Sequence, residues 1–254
     1  MKTIPIFTQQ SSAATGTDIA LCVELQRLRL EWQPAETQPA MTASGWEQTA
    51  LQILDAFAWL SQQLDETHGK ETPIKLTDEQ AEELIDSLRA ATLLAGAPAG
   101  KKDAVAKRLD AIVLGIALWA MRHGVPLPSV QWAPIVNALA SRANAAETRQ
   151  DAAAAFTLMQ GVVAYLAPAI ADNAMLPDEE NPWRILNLNL AIAAIRTGEL
   201  DAIHHAFDQL ERALPDECAG FYRQAVEIAH RSSLPEAVRA SIEAAMQRTT
   251  SGVR

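Results

Sequence analysis

Three predicted helices carry a carboxylate and a histidine three residues apart, a spacing that can present two ligands to one metal ion. Side chains at positions i and i+3 lie on the same face of an α-helix. Di-iron and di-manganese sites in helical bundles use two Glu-x-x-His pairs and two further glutamates. The three pairs are Asp65–His68, Asp201–His204 and Glu227–His230.

Glu227 and His230 fit such a site best, because this pair contains the acid that bundle sites use. Asp201 lies at a predicted helix start, where an aspartate caps a helix better than it binds a metal. Five histidines among 31 acidic residues also produce this spacing by chance. We therefore assign no metal ion and no cofactor, and keep Glu227 and His230 as the site of an alternative, an all-α metal-dependent enzyme.

The sequence contains none of the common nucleophile, phosphate or dinucleotide signatures. G-x-S-x-G, the P-loop, G-x-G-x-x-G and H-E-x-x-H are all absent. The two cysteines, Cys22 and Cys218, do not form a disulfide framework, and we expect both to be reduced and buried. The sequence therefore assigns no catalytic residue and favours a function other than catalysis.

Composition and charge narrow the remaining classes of function. The 254-residue chain is 49% hydrophobic and 20% charged, as globular proteins are. Its formal net charge of -10 argues against a nucleic-acid partner, because binding DNA or RNA needs a cationic surface. The strongest apolar run, residues 111–121, is shorter than the roughly 20 residues that a bilayer requires. No signal-peptide pattern precedes it, so we expect a cytoplasmic protein with no membrane partner.

Helix signals recur along the whole chain and predict an all-α fold of about ten antiparallel-packed helices. Ala and Leu, both strong helix formers, supply most of the apolar residues. Thr77 to Gln80 form a capping box, and residues 103–123 are apolar enough to form a buried central helix that Gly124 ends. Asn144 to Glu147 predict the start of a long Ala-rich helix, which we expect to end or kink at Pro168.

An acidic connector, residues 178–180, divides the predicted helices into two regions. We place an N-terminal helical region at residues 1–176, of which residues 1–17 are expected to be flexible. A C-terminal helical region follows at residues 177–254. The alternative is one continuous domain in which both regions share a core.

One predicted helix pair has a pattern of small, aromatic and proline residues around Gly198. The small Ala191 follows Leu190 in the first helix and allows a close approach of the second helix. Phe207 fills the groove between the helices, and Pro215 ends the second helix. These residues occupy the Leu, small-residue, aromatic and terminal-proline positions of a known family. The segment of about residues 187–220 therefore resembles one tetratricopeptide repeat, a helix-turn-helix unit of 34 residues.

The match to the repeat is partial, because other positions carry different residues. Asn187 replaces the expected Trp, and Ala194 replaces an aromatic residue. Ile203 and Leu210 replace the two alanines of the second helix. The resemblance implies a tetratricopeptide-like (TPR-like) scaffold at the C-terminal end, which would present a groove to a peptide or a protein.

Tryptophans near prolines supply the candidate binding residues. Trp132 and Trp183 lie at predicted loop-to-helix junctions, so we expect their side chains to be exposed. Tryptophan is also enriched at binding hot spots. Together with two polar neighbours of Trp183, they form the predicted binding set: Trp132, Trp183, Arg184 and Asn187.

The sequence as a whole favours a cytoplasmic protein-protein interaction module. An adaptor, a chaperone or an assembly factor fits this description, and its partner would be a protein or a peptide. Two alternatives stay open. One is the metal-dependent enzyme built on Glu227 and His230, and the other is a structural homo-oligomer in which the Ala-rich helix of residues 146–167 packs against its copy.

Overall fold

The fold is all-α over the part of the chain that the structure describes. A computed structural model describes residues 21–32, 43–97, 102–172, 181–231 and 234–251. These residues form ten α-helices and no strand, which confirms the predicted all-α fold class. The helices are α1 (Leu21–Glu31), α2 (Ala43–His68), α3 (Asp78–Gly96), α4 (Asp103–Arg122), α5 (Trp132–Asn144), α6 (Arg149–Asp172), α7 (Pro182–Thr197), α8 (Leu200–Ala213), α9 (Cys218–Arg231) and α10 (Glu236–Ser251).

Contacts between the helices divide the chain into two units, residues 1–142 and residues 143–254. The predicted boundary at residue 176 lies outside the described residues, and so does the predicted flexible segment, residues 1–17. The helices on either side of residue 176, α6 and α7, belong to the second unit and pack against each other.

The first unit is organised around α4. Residues 112–121 are all buried, which confirms the prediction of a central apolar helix. α1 and α3 pack on α4, and α2 packs on α1 and α3. Gly124 follows α4 with a φ of 66°, a left-handed conformation that glycine adopts without steric cost. The turn brings the carbonyl of His123 to the loop after α2, where it accepts a hydrogen bond from the amide of Ile74 at 3.0 Å.

The predicted capping box at the start of α3 is present. The amide of Gln80 donates to the Thr77 hydroxyl at 3.3 Å, and the amide of Thr77 donates to the Gln80 side-chain oxygen at 3.0 Å. Both contacts satisfy amides that a helix start would otherwise leave without a partner. The sequence signal and the local structure therefore agree at this helix start.

The start of α6 differs from the prediction. The helix begins at Arg149 and not after Asn144, because Thr148 and Asp151 supply the cap. The amide of Asp151 donates to the Thr148 hydroxyl at 3.1 Å, and the Thr148 amide donates to the Asp151 carboxylate at the same distance. α6 also continues through Pro168 to Asp172 and does not end at the proline.

The second unit contains α6 to α10. α7 packs on α6 and α8, and α10 packs on α8 and α9. Asn181 caps α7 by accepting from the amide of Trp183 at 2.9 Å, and Gly198 ends α7 with a φ of 74°. In the core, the ring of Phe207 on α8 lies 4.9 Å from the ring of Tyr222 on α9. This core packs behind the side of α7 and α9 that is described in the next subsection.

One helix of the second unit, α6, is long and apolar enough over Arg149–Ile170 to cross a membrane. Core helices of soluble proteins meet the same criterion of length and composition. Within this helix Ala155, Met159 and Val162 are buried, and α7 packs against it. Of its most apolar 18-residue window, 44% is buried within the structure.

Candidate functional site

Two helices of the second unit carry matching apolar stripes. Each stripe has residues at positions i, i+4 and i+7, a spacing that places three side chains on one face of a helix. Both stripes line the same groove. The stripes are Leu188, Ile192 and Ile195 on α7, and Phe221, Ala225 and Ile228 on α9.

The groove between these helices, called the α7–α9 groove below, has a volume of about 610 Å³. Ile192 is 40% exposed and Ile228 is 64% exposed. Scattered exposed apolar residues are common, whereas these two isoleucines line one shared groove. The remaining lining residues are Arg184, Arg196, Asp216, Glu217, Gly220, Gln224 and Leu234.

The charged residues of the groove have separate roles. The Arg184 Nε donates to Glu217 Oε1 at 2.5 Å, and this contact joins the start of α7 to the turn before α9. The Arg196 guanidinium donates to the backbone carbonyls of Ala143 and Ala146. Asp216 is exposed and forms no ion pair with any residue that the structure describes. Asp216 is therefore the lining carboxylate without an ion pair among the described residues, at the end where α7 and α9 begin. The lining as a whole has two carboxylates and two guanidinium groups.

Two titratable groups of α9 point into the core. Burial and the nearby carboxylates of Glu211, Glu217 and Asp216 raise the pKa of the Cys218 thiol to about 11. Burial, followed by the charge of Glu211, raises the pKa of Tyr222, whose hydroxyl donates to Glu211 Oε1 at 3.0 Å. Both groups are protonated at pH 7, so neither is an activated nucleophile.

The predicted exposure of Trp132 is wrong. Its side chain is 4% exposed, because the first turn of α5 packs it into the core. The Trp132 Nε1 donates to the carbonyl of Leu127 at 3.3 Å. A short 3-10 helix, Ser129–Gln131, thus leads into α5 with the indole of Trp132 in the core.

The other three predicted binding residues lie together on α7, but they do not share one environment. Trp183 is half-buried, and Arg184 lines the α7–α9 groove. Asn187 is fully buried and joins α7 to α8: its Nδ2 donates to the Trp183 carbonyl at 2.8 Å, and its Oδ1 accepts from Gln209 at 3.1 Å. Sequence reasoning missed Ile192 and Ile228, whose spacing on the helices was the available signal.

The residues of the alternative metal site are exposed on α9. Glu227 and His230 both face solvent, and the His230 Nε2 lies 3.4 Å from Glu243 Oε1 on α10. Within the described ranges, no group of three or more His, Cys, Asp or Glu side chains has an arrangement that could hold a metal ion.

The first unit contains a polar cluster around the buried His123 that the sequence did not indicate. The Asp65 Oδ1 accepts a hydrogen bond from the Trp119 Nε1 at 2.8 Å. The same oxygen lies 2.8 Å from the His123 Nε2, and the His123 Nδ1 lies 2.7 Å from the carbonyl oxygen of Thr72. We call these residues the Asp65 cluster. Asp65 thus contacts His123 and not His68, its neighbour in the sequence.

The geometry of the Asp65 cluster defines what it can do. Each ring nitrogen of His123 faces an oxygen, so the cluster needs two protons at these contacts. An imidazolium carries both, or a neutral imidazole carries one and the Asp65 carboxyl carries the other. His123 is 0% exposed and has no nitrogen left for a substrate. The cluster therefore fixes the loop after α2 to the end of α4.

A second cavity, of about 530 Å³, lies beside Asp65 in the first unit. Cys22, which we expected to be buried, is exposed on α1 and lines this cavity. The buried face of α1 is formed by Leu21, Leu25 and Leu28, at the spacing of one helix face. Cys22 lies outside that stripe, which explains its exposure.

No protein-family model, curated protein or solved structure matches this chain. The resemblance of residues 187–220 to a tetratricopeptide repeat stays a prediction. Leu190, Ala191 and Phe207 are all buried in the α7–α8 pair. Such a repeat requires this burial, and so does any closely packed pair of helices.

Proposed function

We propose that this protein is an interaction module that binds a partner protein through the α7–α9 groove. The observation that carries the proposal is the exposure of Ile192 and Ile228 over one groove of about 610 Å³. Burying such a side chain completely stabilises a complex by about 1.5–3 kcal/mol. An adaptor, a chaperone or an assembly factor in the cytoplasm would use a surface of this kind.

The chemistry of the groove suits binding better than catalysis. Arg184 is paired with Glu217, and Arg196 is bonded to backbone carbonyls. The Cys218 thiol is buried and has a raised pKa of about 11, so it does not supply a thiolate at pH 7. What the groove offers a partner is apolar area. The tetratricopeptide resemblance supports the same proposal, because it implies a scaffold that presents a groove.

The proposal is tested by purifying the tagged full chain from cells that express it and identifying bound proteins by mass spectrometry. Three forms are compared: wild type, Ile228→Asp and Val130→Asp. Val130 is the matched control, since it is an aliphatic residue 71% exposed in the other unit. We expect a partner that wild type and Val130→Asp retain and Ile228→Asp loses.

Two other results would change the interpretation. If all three forms retain the same partners, the α7–α9 groove is not the binding surface and the proposal is wrong. If light scattering finds a dimer that Ile228→Asp dissociates, the groove is occupied by a second copy of this chain.

A further inference from the structure

We infer that the occupant of the α7–α9 groove is an amphipathic α-helix of the partner, with one basic side chain that pairs with Asp216. This inference rests on the proposed function and specifies the partner of the same surface. It has three independent grounds: the shape of the groove, the hydrogen-bonding capacity of its walls, and its charge.

The groove has the shape of a binding site for a third helix. Rows of side chains four residues apart form ridges on a helix, and such ridges pack into the grooves of neighbouring helices. Leu188 and Ile192 form such a row on α7, and Phe221 and Ala225 form one on α9. An amphipathic helix presents the complementary i, i+3, i+4 and i+7 face.

The walls of the groove favour a helix over an extended peptide. An extended segment carries free backbone N–H and C=O groups, and covering them without partners costs free energy. The stripes on α7 and α9 are apolar, and away from its ends the backbone groups of an α-helix are bonded within the helix. Gln224 is the uncharged polar side chain along the groove. A helix satisfies its own backbone and needs no partners from these walls.

The length of the groove sets the length of the occupant. The lining residues of α7 extend from Arg184 to Arg196. At a rise of 1.5 Å per residue, this distance is about 18 Å, or roughly three turns of helix. A partner helix of about 12 residues therefore fills the groove.

The charge of the groove selects a basic residue in that helix. Glu217 is neutralised by Arg184, and the Arg196 guanidinium is held by the carbonyls of Ala143 and Ala146. Asp216 is the lining carboxylate that these contacts leave without an ion pair among the described residues, and the Arg196 cation lies near the opposite end of α7. A lysine or an arginine on the flank of the partner helix, at the end where α7 begins, complements it.

The inference is tested with a displayed library of 16-residue peptides and the full chain as bait. One half of the library fixes Leu at i, i+4 and i+7, and the other half fixes Leu at alternating positions, with all other positions random. We expect enrichment of the helical half, with Lys or Arg at one flanking position. Fluorescence polarisation then gives the Kd of the enriched peptides for each variant.

Three variants separate the parts of the inference. Ile228→Asp is expected to weaken binding at least tenfold, and Asp216→Asn about threefold, the size of an exposed ion pair. Asp201→Asn is the matched control, an exposed carboxylate at the start of α8 that does not line the groove; it should leave the Kd unchanged. Replacing the basic residue of the peptide by Gln should abolish the effect of Asp216→Asn.

Each contrary result has a distinct meaning. Enriched peptides with alternating Leu overturn the helical occupant, while the proposed function survives if Ile228→Asp still abolishes their binding. Helical peptides that bind wild type and Asp216→Asn equally overturn the pairing with Asp216. No enrichment, or enriched peptides that bind Ile228→Asp as well as wild type, contradict both the inference and the proposed function.

Discussion

The α7–α9 groove exposes apolar side chains to solvent, whereas the Asp65 cluster buries a polar one. In the first unit, His123 is fully buried, and both of its ring nitrogens contact oxygens. In the second unit, Ile192 and Ile228 are apolar and yet substantially exposed. Each region departs from the usual rule that apolar groups are buried and polar groups are exposed.

The two departures have different physical consequences. A buried polar group costs free energy unless it is hydrogen-bonded, and the Asp65 cluster meets that condition within its own unit. Exposed isoleucines have no such compensation among the described residues of the second unit, and a bound partner would bury them. We therefore propose that the Asp65 cluster stabilises the first unit and that the α7–α9 groove binds a partner.

The largest loss of stability is expected from a substitution in the core behind the groove. Phe207 is 1% exposed, and its ring contacts the rings of Tyr222 and Phe221, the latter a groove residue. Phe207→Ala should lower the free energy of unfolding by about 3–5 kcal/mol, because it removes buried area and leaves a cavity. Urea unfolding followed by far-UV circular dichroism measures the loss. Leu200→Ala, at a half-exposed position of α8, is the control and should cost far less.

Equal losses in Phe207→Ala and Leu200→Ala would show that the aromatic core does not support α9. The groove would then lack the rigid walls on which its shape depends.

The second-largest loss of stability is expected at the Asp65 cluster. His123→Ala removes a buried ring and leaves the Asp65 carboxylate with one donor, so we expect a loss of about 3 kcal/mol. His68→Ala is the control, because His68 belongs to the Asp65–His68 pair of the sequence and is exposed. Its replacement should change the free energy of unfolding by less than about 0.5 kcal/mol. Tryptophan fluorescence during urea unfolding suits this test, since five of the six tryptophans lie in residues 1–142. Similar free energies of unfolding for both variants would show that the Asp65 cluster does not stabilise the first unit.

The raised pKa of Cys218 should make stability fall in alkali. The thiol has a pKa of about 11 in the folded protein, against 9.0 for an unperturbed cysteine. Between these values the unfolded chain loses the proton and the folded chain keeps it, so the stabilisation is complete below about pH 9 and is lost as the pH rises. Wild type should lose about 2 kcal/mol more than Cys218→Ala between pH 8.5 and pH 11.

Urea midpoints across this pH range measure the difference in slope. The two proteins differ in no other titratable side chain, and the Cys218 thiolate is also one of the charges that raise the pKa of Tyr222. Parallel curves for wild type and Cys218→Ala would mean that the thiol is not shielded behind the groove.

The smallest expected effect is a gain in stability at the wall of the groove. Gly220 lies in the first turn of α9, and a Cβ at this position would meet no other atom within 4 Å. Gly220→Ala should therefore stabilise the second unit by about 0.5 kcal/mol through helix propensity. Thermal unfolding of the two proteins side by side detects this change. A lower Tm for the variant would show that the space beside Gly220 is needed for packing.

Helices were predictable from the sequence because their signals are local. Thr77 and Gln80 lie three residues apart, and Gly124 marks the end of α4 directly. The prediction missed the start of α6 because two capping patterns follow one another, and the second, Thr148 with Asp151, forms the hydrogen bonds. Local rules thus identify the helices and leave a choice between neighbouring caps.

The candidate site was much less predictable, because it depends on contacts between distant segments. Asp65 and His123 are 58 residues apart, and the nearer His68 matched the carboxylate-x-x-His pattern. The α7–α9 groove requires two helices that α8 separates in sequence. Arg184 was the one predicted binding residue that lines it. Periodicity on α7 and α9 identifies the apolar stripes, but only packing shows which stripe stays exposed.

The most direct test of the division between the two regions is a photocrosslink from the groove. p-Benzoylphenylalanine is placed at position 228 in one protein and at the exposed position 130 in the other, and crosslinked products from cells are mapped by mass spectrometry. We expect a partner segment joined specifically to position 228. Crosslinks of equal yield from both positions, or partner crosslinks from position 130 alone, would contradict it.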